Sequence, residues 1–183
     1  RLANGVMFGV PGDRNIAPIP TRGSGMLGRR IALDAPGKGL VTDALRDRIY
    51  VTVPDRHELL IISAQSLEVE QRIDLGSRPG GLSLSADGSE IFVGLETADS
   101  IAVIDADSFA VSGVFVATEP GTSGVHAVVE TAPGVLYADV GIPDVDGRIV
   151  RIDRASGAVT PVRSIGPVSG EVELLPDRGR GLL

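Results

Sequence analysis

His57 and His126 are the only imidazoles in the 183 residues, and there is no cysteine. Thiol nucleophiles, thiolate metal sites and disulfides are therefore excluded, and two histidines cannot build a three-histidine metal centre within this chain. Serine catalysis finds no Gly-x-Ser-x-Gly elbow, since Gly23-Ser24-Gly25 and Gly121-Thr122-Ser123-Gly124 read as flexible turns. Asp144-Val145-Asp146-Gly147 has the form of a clipped cation loop. Two carboxylates one residue apart can put oxygens on a Ca²⁺ or another divalent cation, and glycine permits the turn. Arg148 stands where the next ligand would fall and no terminal Glu follows, so an Asx-type turn fits the same residues. His57 lies between Arg56 and Glu58, the pattern of a solvated loop. His126 lies in the apolar stretch Gly124-Val125-His126-Ala127-Val128, where an imidazole is either packed or turned to a cavity.

The background composition narrows the classes. Lys+Arg 17 against Asp+Glu 24 gives a net charge of -7, so no basic footprint offers itself to nucleic acid or an anionic membrane. No run approaches the ~20 apolar residues of a membrane helix. With 43% hydrophobic residues the chain can bury a core, and Gly 24 with Pro 12 is too many turn-formers for a helical bundle. The opening Arg1-Leu2-Ala3-Asn4 has no signal-peptide form, and Arg180-Gly181-Leu182-Leu183 stops as an apolar run begins. The expectation is a piece of a longer protein.

Self-similarity supplies the elements that would position any site. Ile49-Tyr50-Val51, Ile91-Phe92-Val93 and Leu136-Tyr137-Ala138 are copies of one segment. Ile61 to Ser66, Val103 to Ser108 and Arg151 to Ser156 are copies of another. The repeat length is about 42 to 48 residues, and each unit holds four short runs rich in Val, Ile, Leu or Phe bounded by Gly, Asp, Ser or Pro. No apolar period of 3.6 residues is sustained, so almost no helix is expected. Four antiparallel strands at this period predict an all-β fold, a β-propeller of four-stranded antiparallel blades. About four blades are expected: repeats at 1–35, 36–78, 79–119 and 120–166, and the start of another at 167–183. In such a fold one rim gathers the turns between second and third strands together with the links between blades. Arg56, His57, Glu58, Glu96, Asp99, Asp144 and Asp146 belong to the turns, and Arg78 and Glu119 to the links. His126 belongs to a first strand and faces the channel, with Val41 and Ser83 at its phase in the companion repeats. Asp105 with Ser108 and Asp153 with Ser156 recur, which predicts turns capped by side chains rather than chemistry.

Tyr50-Val51-Thr52-Val53 with Leu60-Ile61-Ile62-Ser63 resembles the YVTN-type repeat of bacterial and archaeal β-propellers. Pro79-Gly80-Gly81-Leu82-Ser83-Leu84-Ser85-Ala86-Asp87-Gly88 with Ile101 to Asp105 is closer to that consensus. Val53 replaces the family's Asn, so lactonase-like and NHL-type propellers are equally similar, whereas zero Trp separates the chain from Trp-Asp repeats. The resemblance implies a larger parent, commonly seven-bladed. A closed four-blade ring, with Glu171 to Leu175 joining the N-terminal strands, is the competing account of the length. Two functions follow as expectations. One is a non-catalytic, extracellular or periplasmic binding module whose rim meets a protein, glycan or small molecule. The other is a lactonase-like hydrolase using a divalent cation, with Glu119, His126, Asp144 and Asp146 the residues to test.

Overall fold

The structure is a computed structural model that describes residues 7–8, 15–16, 18–19, 31–116, 124–140, 148–164 and 174. Two short pairs come first. β1 (Met7–Phe8) pairs with β3 (Pro18–Ile19), and β2 (Asn15–Ile16) pairs with β4 (Ile31–Ala32). Three four-stranded antiparallel meanders follow, each with its strands in chain order. The first sheet holds β5 (Leu40–Asp43), β6 (Arg48–Val53), β7 (Glu58–Ser63) and β8 (Val69–Asp74). The second holds β9 (Pro79–Leu84), β10 (Glu90–Leu95), β11 (Ser100–Asp105) and β12 (Val111–Val116). The third holds β13 (Ala127–Ala132), β14 (Val135–Asp139), β15 (Arg148–Asp153) and β16 (Val159–Ser164). Each sheet lies within one of the repeats at 36–78, 79–119 and 120–166. Among the described residues the only helical element is a single 3-10 turn, Pro54–Arg56.

Stacking explains why the inner strands are apolar on both sides. Successive side chains of a strand point to opposite faces. Tyr50, Leu59 and Ile61 therefore pack on Ile91, Val93 and Ile104 of the second sheet. The other face of that sheet presents Phe92, Ile101 and Val103 to Val128, Leu136, Val150 and Ile152 of the third. Ile49, Val51, Leu60 and Ile62, on the remaining face of the first sheet, are closed by Ile31, Leu33 and Ala35. Like-shaped meanders stacked face to face, each needing its neighbour to exclude water, are propeller blades. The all-β, four-stranded expectation is what the chain adopts.

Polar clips close the blade joints at one mouth. Arg154 of the third sheet forks onto Glu90 of the second at 2.6 and 2.9 Å, its guanidinium over the rings of Phe92 and Phe115. Arg46 reaches from the first sheet to Asp107 at 2.6 Å and to the Gly88 carbonyl at 2.8 Å. The recurring Asp residues cap turns: Asp105 Oδ1 accepts the Ser108 amide at 2.7 Å, and Asp153 Oδ1 accepts that of Ser156 at 3.0 Å.

Candidate functional site

The opposite mouth holds a cluster of charge built from all three blades. Its centre is Glu96, the residue after β10, whose side chain is 10% exposed. Lys38, just before β5, bonds Glu96 Oε1. Arg78, in the link before β9, donates Nε–H to Oε2 at 3.0 Å and extends Nη1 to Asp55 at 3.0 Å. His126, just before β13, places Nδ1 at 3.3 Å from Oε1. Ser77 and Thr97 join hydroxyls beside it at 2.8 Å. One carboxylate thus receives donors from three successive blades.

Strand pairing and close backbone approach between the blades produce this convergence. The pairings Leu40 with Val51, Leu82 with Val93 and Val128 with Ala138 align the three first strands. Two residues earlier stand Lys38, Gly80 and His126, which are therefore equivalents. This corrects the expected phase: the counterparts of His126 are Lys38 and Gly80, not Val41 and Ser83, because Gly80 follows Lys38 by 42 residues whereas His126 follows Gly80 by 46, so a near-constant spacing misplaces the third strand. The middle equivalent has no side chain. A Cβ on Gly80 would come within 2.7 Å of the His126 carbonyl oxygen and 3.3 Å of Glu96 Cγ, so glycine here leaves the space that the Glu96 side chain takes. Gly124 makes a similar allowance at φ +99°, where a Cβ would overlap the Glu96 carbonyl. The backbones meet closely as a result: Gly81 donates to the His126 carbonyl at 2.7 Å and Val125 to the Leu95 carbonyl at 3.2 Å.

The electrostatics follow from burial and pairing. Burial pushes the Glu96 carboxyl up, but the hydrogen bonds of His126 and Lys38, the Lys38 charge and the Arg78 contact outweigh it and hold the group at about 2. The His126 ring is raised above its ordinary value, first by its hydrogen bond to Glu96, against the opposing effect of burial. With Nδ1 facing a carboxylate oxygen, that nitrogen carries the ring proton. Nε2 is buried and has no hydrogen-bond partner among the described residues. Outward of the cluster the Arg78 side chain is 44% exposed and that of Asp55 59% exposed, so the ion pair they form lies open at the rim.

The structure thus joins Arg78, Glu96 and His126 in one cluster. His57 is exposed and closes the Pro54–Arg56 turn at φ +57°. Arg56 is exposed beside it, and Glu58 pairs with Arg72 at 3.0 Å, away from Glu96. Asp99 is half-buried at φ +48° in the turn before β11. Glu119, Asp144 and Asp146 lie outside the described residues. Among the described residues no group of three or more His, Asp and Glu is placed to hold a metal ion. Lys38 was missed by sequence reading. The signal that could have found it was the strand alignment that makes it the equivalent of His126.

The sequence matches no protein-family model and no curated protein. Solved structures do match. The chain superposes on the propeller-type hydrazine synthase of Kuenenia stuttgartiensis with a TM-score of 0.70 at 19% identity, over 86% of this chain and 45% of that one. The chain therefore spans less than half the length of that relative, and the likeness shows the fold: this is a β-propeller module.

Proposed function

We propose that this propeller module is a non-catalytic binding module that takes its ligand at the rim around Glu96, as part of an extracellular or periplasmic protein of the YVTN-type, lactonase-like group of propellers. One observation carries the reading: three blades each commit a side chain to one carboxylate, which fixes the Arg78–Asp55 pair at the open rim. An arginine buttressed on two edges is pre-organised, so a partner pays little ordering entropy to meet it. The recognised group is a protein, glycan or small molecule that pairs with an arginine–carboxylate pair. Glycan and peptide arrays probed with the wild-type chain and with Arg78→Ala test this. Retention that disappears in the variant, which far-ultraviolet dichroism shows still folded, is the expected result. Equal retention by both proteins overturns it.

A hydrolase is the second reading, favoured by the Glu96–His126 contact, since a carboxylate that orients an imidazole is the arrangement of a general base. Lactone turnover that requires Ca²⁺, Mg²⁺ or Mn²⁺ and is lost in His126→Gln would replace the binding reading with this one.

A further inference from the structure

The two described blade joints repeat one close approach between first strands. A Cβ on Gly39 would stand 3.1 Å from the Gly80 carbonyl oxygen, and one on Gly81 would stand 3.0 Å from that of His126 and 3.5 Å from Ala127 Cβ. Ala127, next to Val128, is the third member of this series. In the first sheet Val41, Tyr50 and Ile61 lie side by side on the face that the second sheet covers. In the second sheet Ser83, Phe92 and Val103 lie side by side on the face turned to the third. Their counterparts in the third sheet are Val129, Tyr137 and Arg151. Val129 is fully buried and Ala127 nearly so, while Tyr137 and Ile149 are half-buried. Yet none of the clusters that join the described sheets includes Val129, Tyr137 or Ile149.

We propose that residues 170–175 cover this face, laid along β13 as the first strand of a fourth sheet. The sequence selects the occupant. Gly170-Glu171-Val172-Glu173-Leu174-Leu175, with Asp177 beyond, follows Gly80-Gly81-Leu82-Ser83-Leu84-Ser85, with Asp87 beyond, at a constant spacing of 90 residues. Leu82 and Leu84 pack into the joint with the first sheet. Val172 and Leu174 share their alternation, so they pack back onto Val129 and Tyr137. Of this segment Leu174 is the described residue, and it is half-buried, as Leu84 is. A repeat closes its face on the next copy of itself, which is the cover that a wholly buried Val129 requires. Gly170 then becomes the fourth equivalent of Lys38, Gly80 and His126. The mouth that holds Glu96 gains a strand without gaining a side chain at that position.

The chain has no native cysteine, so engineered cross-links in the 183-residue protein test this directly. A disulfide needs Cβ atoms about 3.5–4.5 Å apart. The equivalent of the close pair Gly81 and Ala127 at the next joint is Ala127 and Glu171. With glutathione disulfide as oxidant, Ala127→Cys combined with Glu171→Cys closes at least about tenfold faster than Ala127→Cys combined with Val172→Cys, whose second side chain points to the opposite face. A second measurement needs no cross-link. Leu174→Lys speeds amide exchange in β13 and β14 about tenfold and leaves β6 and β7 unchanged, because an unpaired ammonium cannot stay in the joint. Glu173→Lys, on the other face of the strand, leaves β13 and β14 as in the wild type. Equal closure of the two cysteine pairs, or a Glu173→Lys effect as large as that of Leu174→Lys, overturns the proposal.

Discussion

Glu96 shows how a buried carboxylate stays ionised. Its desolvation is offset by donors from Lys38, Arg78 and His126, none of them adjacent to it in the chain. Removing its charge leaves two or three cations facing one another under partial burial, so Glu96→Gln should cost about 3 kcal/mol in urea unfolding. The pH dependence has two limbs of opposite sign. A carboxyl held at about 2 contributes stability that is present above its unfolded value and fades as pH falls toward 2. A raised imidazole contributes stability that is complete below its unfolded value of 6.5 and is lost as pH rises through the higher folded value. Wild type minus His126→Gln, followed by melting temperature against pH, should therefore show its largest difference below 6.5 and a shrinking one above. A difference that grows with pH would refute the ion pair.

The element scale explains why glycine lies between the blades. Gly124 and Gly134 both adopt left-handed backbone, at φ +99° and +78°. Around Gly134 there is open space, whereas a Cβ on Gly124 would overlap the Glu96 carbonyl. Gly134→Ala should cost only the conformational strain, about 1 kcal/mol. Gly124→Ala should cost about 3 kcal/mol or more, because β13 must also move off the second blade. Thermal denaturation of the two variants separates conformational strain from inter-blade contact, and equal costs would mean that the blades do not meet as closely as the Gly81 and Val125 bonds require.

For the molecule as a whole, stability resides at the joints. Phe92 is fully buried between the second and third sheets, with Leu136 and Ile152 on its far side and Arg154 over its ring. Phe92→Ala should lose about 3–5 kcal/mol. The loss should also loosen the third blade more than the first, since repeats contact only their neighbours. Amide exchange accelerating in β14 and β15 but not in β6 and β7 is the expected pattern, and uniform acceleration would mean the stack unfolds as one unit.

By itself the sequence determined the blade. The copies at Ile49, Ile91 and Leu136, the bounding Gly, Asp and Ser residues and the absence of a helical period specify four-stranded units that need each other's faces. Strand alternation and turn chemistry are local, so they are written in consecutive residues. The Asp105 and Asp153 turns were legible for the same reason. Arg78, Glu96 and His126 were each readable as rim or channel residues, but only tertiary structure decided that they share one carboxylate and that Lys38 completes the set. That decision depends on the room left at Gly80 and Gly124, which matters only once the blades are stacked. Contacts between blades depend on side chains from strands tens of residues apart, and no local pattern encodes the distance between them.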